Sequence, residues 1–253
     1  MLDSCRSAVA ICMLMAANIG WTGQSAGTSQ SRAGAQNQTK FTAPPGQETD
    51  AVTKLIDSAV AALRAGKSVS DILTDPAFLP AHEWPRFRKL IRESANSSHA
   101  TIVTPNEPGE PLAVSARVVD REDRPLAGAL VYVYQTSLKG WYSDRAAHYS
   151  ANEGDRKFAR LFGYLITDSR GAFTLRTIRP AGYPDSDLPA HIHVEIMSPN
   201  QPAIGVATEI RFDDDPRLTA DWRKRSQQEG FVITKVRKES DEVQRVQVEF
   251  KLR

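Results

Sequence analysis

The 253-residue sequence contains only two cysteines, and both lie near its start, at Cys5 and Cys12. If this end is removed as a leader, no thiol remains to form a disulfide or to bind a metal through sulfur. Stability then has to come from packing, with a bound metal as a further source. Any metal site has to use carboxylates, histidines or tyrosines.

The sequence also lacks a large net charge and a long hydrophobic run. Its formal net charge is only +2, without a dense block of lysine and arginine, so nucleic acid is not an expected partner. The apolar stretch at residues 8–17 is too short to span a membrane comfortably, and no other stretch qualifies. Preceded by Arg6, it predicts a secretory signal peptide over residues 1–26 and a secreted or periplasmic protein. A membrane anchor is the alternative.

Three further regions differ in composition and period. Residues 27–48 are rich in Ser, Gly, Gln and Ala, which predicts a flexible linker. Residues 49–103 predict a small helical segment, because apolar residues recur at helical spacing after a possible N-cap at Thr49. From 104 to 253 the apolar period changes to two, and turn sequences separate short strands. We therefore predict a mainly β fold, an antiparallel β-sandwich with a small N-terminal helical segment.

Two of the five histidines lie one residue apart in LPAHIHVEI, at His191 and His193. Residues i and i+2 of a strand face the same way, so both imidazoles and Glu195 would share one face. Such a pair can bind iron, copper, zinc or nickel, although two histidines on a half-exposed strand are the simpler interpretation of the pair alone. Glu195 would lie too far along a straight strand to complete the site, so a supporting or solvent role is expected.

Two tyrosines lie in turn-like sequences, where a buried core tyrosine is not expected. Tyr183 is part of RPAGYPDSDLPAHIH, whose prolines and glycine predict a rigid loop leading into the histidine strand. Tyr142 is part of YQTSLKGWYS, where the chain leaves a strand ending at Gln135. Packing at the surface is the alternative interpretation of both tyrosines.

The sequences YQTSLKGWY, LITDSRGAFTLRTIRPAGYP and LPAHIHVEI, in that order, resemble the intradiol ring-cleavage dioxygenases, the family of protocatechuate 3,4-dioxygenase and catechol 1,2-dioxygenase. The resemblance covers about residues 111–215. It implies a β-sandwich in which two tyrosinates and two histidines bind one non-haem ferric ion, Fe(III). By position, the metal ligands would be Tyr142, Tyr183, His191 and His193, with Tyr149 as an alternative to Tyr142.

The resemblance also implies the reaction. A catecholic substrate would bind the ferric ion, and O2 would open its ring between the two hydroxylated carbons. Tyr142 and Tyr183 would be the catalytic tyrosines, with Tyr183 as the one that the substrate displaces. Since tyrosine ordinarily titrates near about 10, its binding as tyrosinate at neutral pH requires a strongly Lewis-acidic ion, and a trivalent ion meets that requirement.

Two positions of the expected substrate pocket depart from the family pattern. Leu188 replaces an arginine that can stabilise charge on the substrate, and Glu209 replaces a frequent glutamine. Both changes disfavour an anionic substrate, unless Arg176, Arg179 or Arg211 supplies the missing positive charge.

Other functions stay open at this point. A non-catalytic sandwich that binds an aromatic compound or a glycan would also carry the scaffold sequence VVDREDRPLAGALVYVY, and a divalent-metal hydrolase would need only the histidines. His148 is expected to be a surface histidine, and residues 213–215 a solvated acidic turn, with calcium binding as the alternative. The apolar face of the helical segment has to be buried, and a homodimer interface is one use of it.

Overall fold

The computed structural model describes residues 48–143, 159–199 and 205–252. The helical elements are α1 (Asp50–Arg64), α2 (Val69–Thr74), a 3-10 helix (Pro76–Ala81), α3 (Pro85–Glu93) and α4 (Ala220–Glu229). The strands are β1 (His99–Thr101), β2 (Pro111–Val119), β3 (Leu130–Gln135), β4 (Leu161–Ile166), β5 (Ala172–Ile178), β6 (His191–Met197), β7 (Gly205–Phe212), β8 (Val232–Thr234), β9 (Arg237–Lys238) and β10 (Gln244–Lys251). The predicted signal peptide lies outside the described residues, so secretion stays a prediction.

Capping and first-turn residues mark the starts of the helices in the N-terminal segment. The Thr49 side chain accepts a hydrogen bond from the Val52 N–H at the start of α1, as expected of an N-cap. Ser68 and Asp71 form a reciprocal capping box at the start of α2. Pro85 occupies the first turn of α3, where a backbone N–H would have no acceptor within the helix, so the N–H that proline lacks is not missed. Within the described ranges, no helix has the length and apolar character needed to cross a bilayer.

Two five-stranded sheets form the body of the fold, which confirms the predicted β-sandwich. Their strand orders are β1-β5-β2-β10-β9 and β4-β3-β6-β7-β8. The sheets are mixed rather than purely antiparallel, since β10 runs parallel to β2, β1 to β5 and β8 to β7. A period of two identifies the face that a side chain occupies but carries no information on the direction of the neighbouring strand, so the sequence could not predict this mixture.

Two short elements were not predicted. Strand β1 belongs to the region expected to be helical, and it adds an edge to the first sheet by pairing with β5. Its three residues are too few to establish a period. Helix α4 lies between β7 and β8, and it is polar along most of its length, with only Ser226 buried. A helix without an apolar stripe gives no periodic signal in the sequence.

The hydrophobic core explains which face of β6 carries the histidines. Ile192, Val194 and Ile196 are fully buried among the residues of the core, so the alternate residues of β6 face the other way. The apolar residues of α1, α2 and α3 belong to the same core, with α2 packed against β1 and α3 against β4. Much of the apolar face of the helical segment is therefore buried within the chain. Homodimerisation stays a prediction.

Candidate metal centre

The side chains of the four predicted ligands meet at the end of the sandwich where β6 begins. The Tyr142 hydroxyl oxygen lies 2.6 Å from that of Tyr183 and 2.7 Å from His193 Nε2. The Tyr183 hydroxyl oxygen lies 3.3 Å from His191 Nε2, and the two Nε2 atoms are 3.1 Å apart. Two oxygens and two nitrogens thus face one another around a common point.

This spacing fits a single metal ion. A first-row metal ion binds nitrogen and oxygen donors at about 2 Å, so donors that share one ion lie roughly 3 Å from each other. The four distances between neighbouring donor atoms run from 2.6 to 3.3 Å. Imidazole nitrogens and phenol oxygens, with no sulfur, suit iron among other ions. The residues present therefore fit the metal that the sequence resemblance implies.

Hydrogen bonding orients the first imidazole toward the centre. His191 Nδ1 lies 2.8 Å from the backbone carbonyl oxygen of Pro189, which can only accept, so Nδ1 carries the proton. The Nε2 atom of His191 is then left with the lone pair that a metal requires. His193 is held differently, because its ring stacks on Tyr134 with centroids 4.5 Å apart. Both histidines are buried.

The loop that follows β3 positions Tyr142. The Ser137 N–H donates to the Trp141 carbonyl oxygen at 2.8 Å, and the Arg160 N–H donates to the Tyr142 carbonyl oxygen at 2.7 Å. Both bonds fix the backbone beside the ring. Tyr142 is only 2 % exposed, so its phenol is enclosed by protein.

The loop between β5 and β6 carries Tyr183, which is half-buried. This loop touches the Tyr142 loop at Gly140, which has a φ of +74° and lies so close to Gly182 that a Cβ would be 2.4 Å from the Gly182 carbonyl oxygen. Gln135, the last residue of β3, links the two loops at the points where they leave their strands. Its amide nitrogen donates to the Ile178 carbonyl oxygen at 2.8 Å, at the end of β5.

Glu209 lies beside the centre rather than in it. The carboxylate belongs to a cluster with His191 and His193 that could hold a metal. However, its oxygen is 3.7 Å from Nδ1 of His193, whereas Nε2 of the same ring faces the phenols. The arrangement around the Nε2 atoms therefore describes the centre better, with Glu209 behind the imidazole. Arg211 is buried and pairs with Glu209 at 2.7 Å, which compensates its charge.

The remaining pocket predictions have mixed outcomes. Leu188 is half-buried, three residues before His191 on the loop that carries Tyr183. None of the three arginines considered as substitutes is available to a substrate there. Arg211 is held by Glu209 and by the Ser226 hydroxyl, Arg179 pairs with Asp214 at 2.6 Å, and Arg176 lies on β5 in the other sheet.

Residues 144–158 lie outside the described residues, so His148 and Tyr149 stay untested.

The acidic sequence at residues 213–215 is not simply a solvated turn, and that prediction is wrong for Asp215. The residue is only 9 % exposed, and its carboxylate accepts the backbone N–H groups of Ala190 and Arg217 at 2.7 and 2.8 Å. Asp213 accepts the Val236 N–H at 3.2 Å. These carboxylates have structural partners, and nothing about them favours calcium.

Sequence reasoning missed a group of buried polar residues next to Tyr142. Arg160 forms a two-bond ion pair with Glu107 at 2.7 Å, with side chains only 10 % and 5 % exposed. Glu83 is buried and accepts a hydrogen bond from Ser143 at 2.7 Å. Only tertiary contacts identify such partners, because each pair joins residues at least 53 positions apart.

His82 is a packing residue in the core. Its ring stacks on Phe87 with centroids 5.2 Å apart, and its Nδ1 lies 3.0 Å from the Arg160 carbonyl oxygen. Burial lowers the pKa of His82 from 6.5 to about 4, because the charged imidazolium would lose its hydration. His82 is therefore neutral at physiological pH.

Comparison with known proteins places the chain among dioxygenases. Residues 83–253 match the family model Dioxygenase_C, described as "Dioxygenase". Catechol 1,2-dioxygenase 2 of Acinetobacter lwoffii is 27 % identical over 143 residues, which make up 50 % of this chain and 49 % of that protein. The protocatechuate 3,4-dioxygenase beta chain of Burkholderia cepacia is 30 % identical over 118 residues, 45 % of this chain and 49 % of the other.

The chain thus spans about half the length of these curated relatives. Among solved structures, a similar one is the dioxygenase domain of a dioxygenase carbohydrate-binding protein fusion from Streptomyces sp. SirexAA-E. It is 29 % identical, with a TM-score of 0.46, and the match covers 60 % of this chain and 85 % of that one.

Proposed function

The chain belongs to the intradiol ring-cleavage dioxygenase family, and we propose that it cleaves a catecholic aromatic compound with O2 between the two hydroxylated carbons. The observation that carries the proposal is that two phenol oxygens and two imidazole nitrogens surround a common point, each 2.6 to 3.3 Å from its two neighbours. We infer that these donors, from Tyr142, Tyr183, His191 and His193, bind ferric iron.

The donor types favour a trivalent ion. A phenol releases its proton at neutral pH only beside a strong Lewis acid, and two phenols share this centre. Ferric iron bound there would supply the Lewis acidity that holds both tyrosinates and the oxygens of a catechol. Two phenolates also offset most of the charge of such an ion, which lowers the cost of burying it.

The two tyrosines differ in how firmly they are held, and this suggests their roles. Tyr142 is 2 % exposed and contacts both Tyr183 and His193, so it is suited to stay in place. Tyr183 is half-buried on a loop, and its oxygen is 3.3 Å from His191 Nε2. We assign Tyr183 as the side chain that gives way to the substrate, with its phenolate oxygen accepting a proton from a catechol hydroxyl.

The charges around the centre favour an uncharged catechol. Leu188 provides no cation, and the Arg211 guanidinium is already paired with Glu209. A carboxylate on the substrate would therefore find no free guanidinium from these positions, and the cost of burying it unpaired would weaken binding. An uncharged ring carries no such cost.

Oxygen uptake by the iron-loaded protein tests the proposal. With catechol, we expect one O2 consumed per ring opened and a muconate-type diacid as the product. Tyr142→Phe should abolish turnover, whereas Tyr164→Phe should not, because Tyr164 stacks on Tyr132 on β3 and is not one of the four donors. Binding of catechol, protocatechuate and hydroxyquinol without any oxygen uptake would favour the non-catalytic binding module instead.

A further inference from the structure

A single turn contacts both ends of the loop that carries Tyr183. Arg217 Nη1 donates to the Tyr183 carbonyl oxygen at 3.0 Å, and the Asp215 carboxylate accepts the Ala190 N–H at 2.7 Å. The other oxygen of Asp215 accepts the Arg217 N–H at 2.8 Å, which joins the two contacts. We call residues 215–217 the clamp.

The loop is shaped to receive the clamp. Gly182 lies against the guanidinium so closely that a Cβ there would be 2.2 Å from Arg217 Nη1 and 3.1 Å from the Leu188 carbonyl oxygen. Any larger residue would displace the arginine. Asp215 is 9 % exposed, and its two oxygens meet one backbone N–H each, as a buried carboxylate requires.

Each contact of the clamp lies next to a donor of the centre. Arg217 binds the main chain of Tyr183 itself, and Asp215 binds Ala190, the residue directly before His191. On the other side of Ala190, the Pro189 carbonyl oxygen accepts the proton of His191 Nδ1. The clamp therefore fixes the backbone at a phenol donor and at an imidazole donor together.

We propose that Asp215 and Arg217 are positioning residues that hold Tyr183 and His191 in their places around the metal, an inference that rests on the proposed function. The clamp contacts only main-chain atoms of the loop, at Tyr183 and Ala190, so it fixes the backbone and leaves the position of the Tyr183 phenol to other contacts. A phenol that leaves for the substrate then returns to the same position, since its Cα has not moved. Without the clamp, the loop would have to be ordered again whenever the Tyr183 phenol returns, at a cost in conformational entropy.

Two variants and a matched control test the clamp. Arg217→Met removes the guanidinium but keeps an unbranched side chain, and Asp215→Asn replaces one acceptor oxygen by a donor that meets an N–H. Arg223→Met is the control, because Arg223 also donates to a backbone carbonyl oxygen, that of Asp213 at 2.8 Å, and within the described ranges it forms no hydrogen bond to the Tyr183 loop. Arg217→Lys retains one cationic donor and should therefore show a smaller change than Arg217→Met.

The first measurement needs no metal. In the iron-free protein, amide hydrogen exchange over residues 182–190 should rise about tenfold in Arg217→Met and Asp215→Asn, the effect of losing one charge-assisted hydrogen bond. Exchange in Arg223→Met should match the unsubstituted chain. Unchanged exchange in both clamp variants would overturn the proposal, whether or not the protein binds iron.

The second measurement uses the iron-loaded protein. The tyrosinate-to-iron absorbance per bound iron should fall in the clamp variants, and a chelator should remove iron about tenfold faster, with partial recovery in Arg217→Lys. If amide exchange becomes faster but absorbance and iron loss stay unchanged, the clamp orders the loop without positioning the metal donors, and the proposal would be wrong. A colourless wild-type protein would instead contradict the proposed function, while the exchange results would still judge the clamp.

Discussion

Tyr142 and Tyr183 are 41 positions apart in the sequence, yet their hydroxyl oxygens lie 2.6 Å from each other. Their loops meet where Gly140 faces the Gly182 carbonyl oxygen. The absence of a side chain at Gly140 thus allows both phenols to reach the same point. The proposed metal centre therefore requires the fit between these two loops as well as the four donor side chains.

Gly140→Ala should damage the centre. The added Cβ would lie 2.4 Å from the Gly182 carbonyl oxygen, and the residue has a φ of +74°. Gly128→Ala is a matched control, since Gly128 has the same φ but its nearest contact would be Pro199 Cβ at 3.7 Å. Urea unfolding should detect a loss of about 1 to 2 kcal/mol in the control, from backbone strain alone. A larger loss and reduced iron content are expected in Gly140→Ala, and equal behaviour of the two variants would contradict this.

His82 should make stability depend on pH. Its pKa is about 4 in the folded chain and near 6.5 when unfolded. Between these values the unfolded chain binds more protons, so stability is fully present above pH 6.5 and falls as the pH drops toward 4. The loss should reach up to about 3 kcal/mol. Urea unfolding of the wild-type protein and of His82→Gln across this range measures it. An equally steep decline in both proteins would assign the effect to other groups.

The buried ion pair of Arg160 and Glu107 should be far more important for stability than an exposed pair. Glu107→Gln removes the carboxylate from a buried ion pair, and breaking such a pair typically costs about 3 to 5 kcal/mol. Glu249→Gln removes the partner of Arg117 from an exposed pair and should cost less than about 1 kcal/mol. Denaturant midpoints of both variants provide the comparison. Similar small losses would mean that water reaches the pair.

Leu188→Arg should change substrate preference. An added guanidinium near the centre would offer a partner to a carboxylated ring, so the ratio of kcat/KM for protocatechuate to that for catechol should rise roughly tenfold. Leu188→Met is the uncharged control and should leave the ratio unchanged. A ratio that stays constant in Leu188→Arg would show that position 188 does not face the substrate.

Much of the site could be predicted because its signals are local. The one-residue spacing of His191 and His193 determines that they share a face, and the prolines around Tyr183 mark a rigid loop whatever lies nearby. The order of these sequences then indicated a family, which the family match confirms. No comparable local pattern distinguishes Tyr142 from Tyr149.

The support around the donors could not be predicted, because it depends on contacts between distant residues. In the sequence, Asp215 is one of three consecutive aspartates, and only the fold buries it against Ala190. The sequence likewise shows Glu209 only as an added negative charge in the pocket, whereas in the fold its carboxylate pairs with Arg211. Charged residues are usually exposed, so a sequence alone gives no reason to expect such burial.

Titration of the purified, iron-free protein with ferric iron tests the central claim most directly. The account predicts one Fe(III) bound per chain and a wine-red tyrosinate-to-iron absorption band that weakens in Tyr142→Phe and in Tyr183→Phe but not in Tyr164→Phe. A protein that stays colourless, or a band that survives both of the first two substitutions unchanged, would contradict the assignment of these four side chains to one ferric ion.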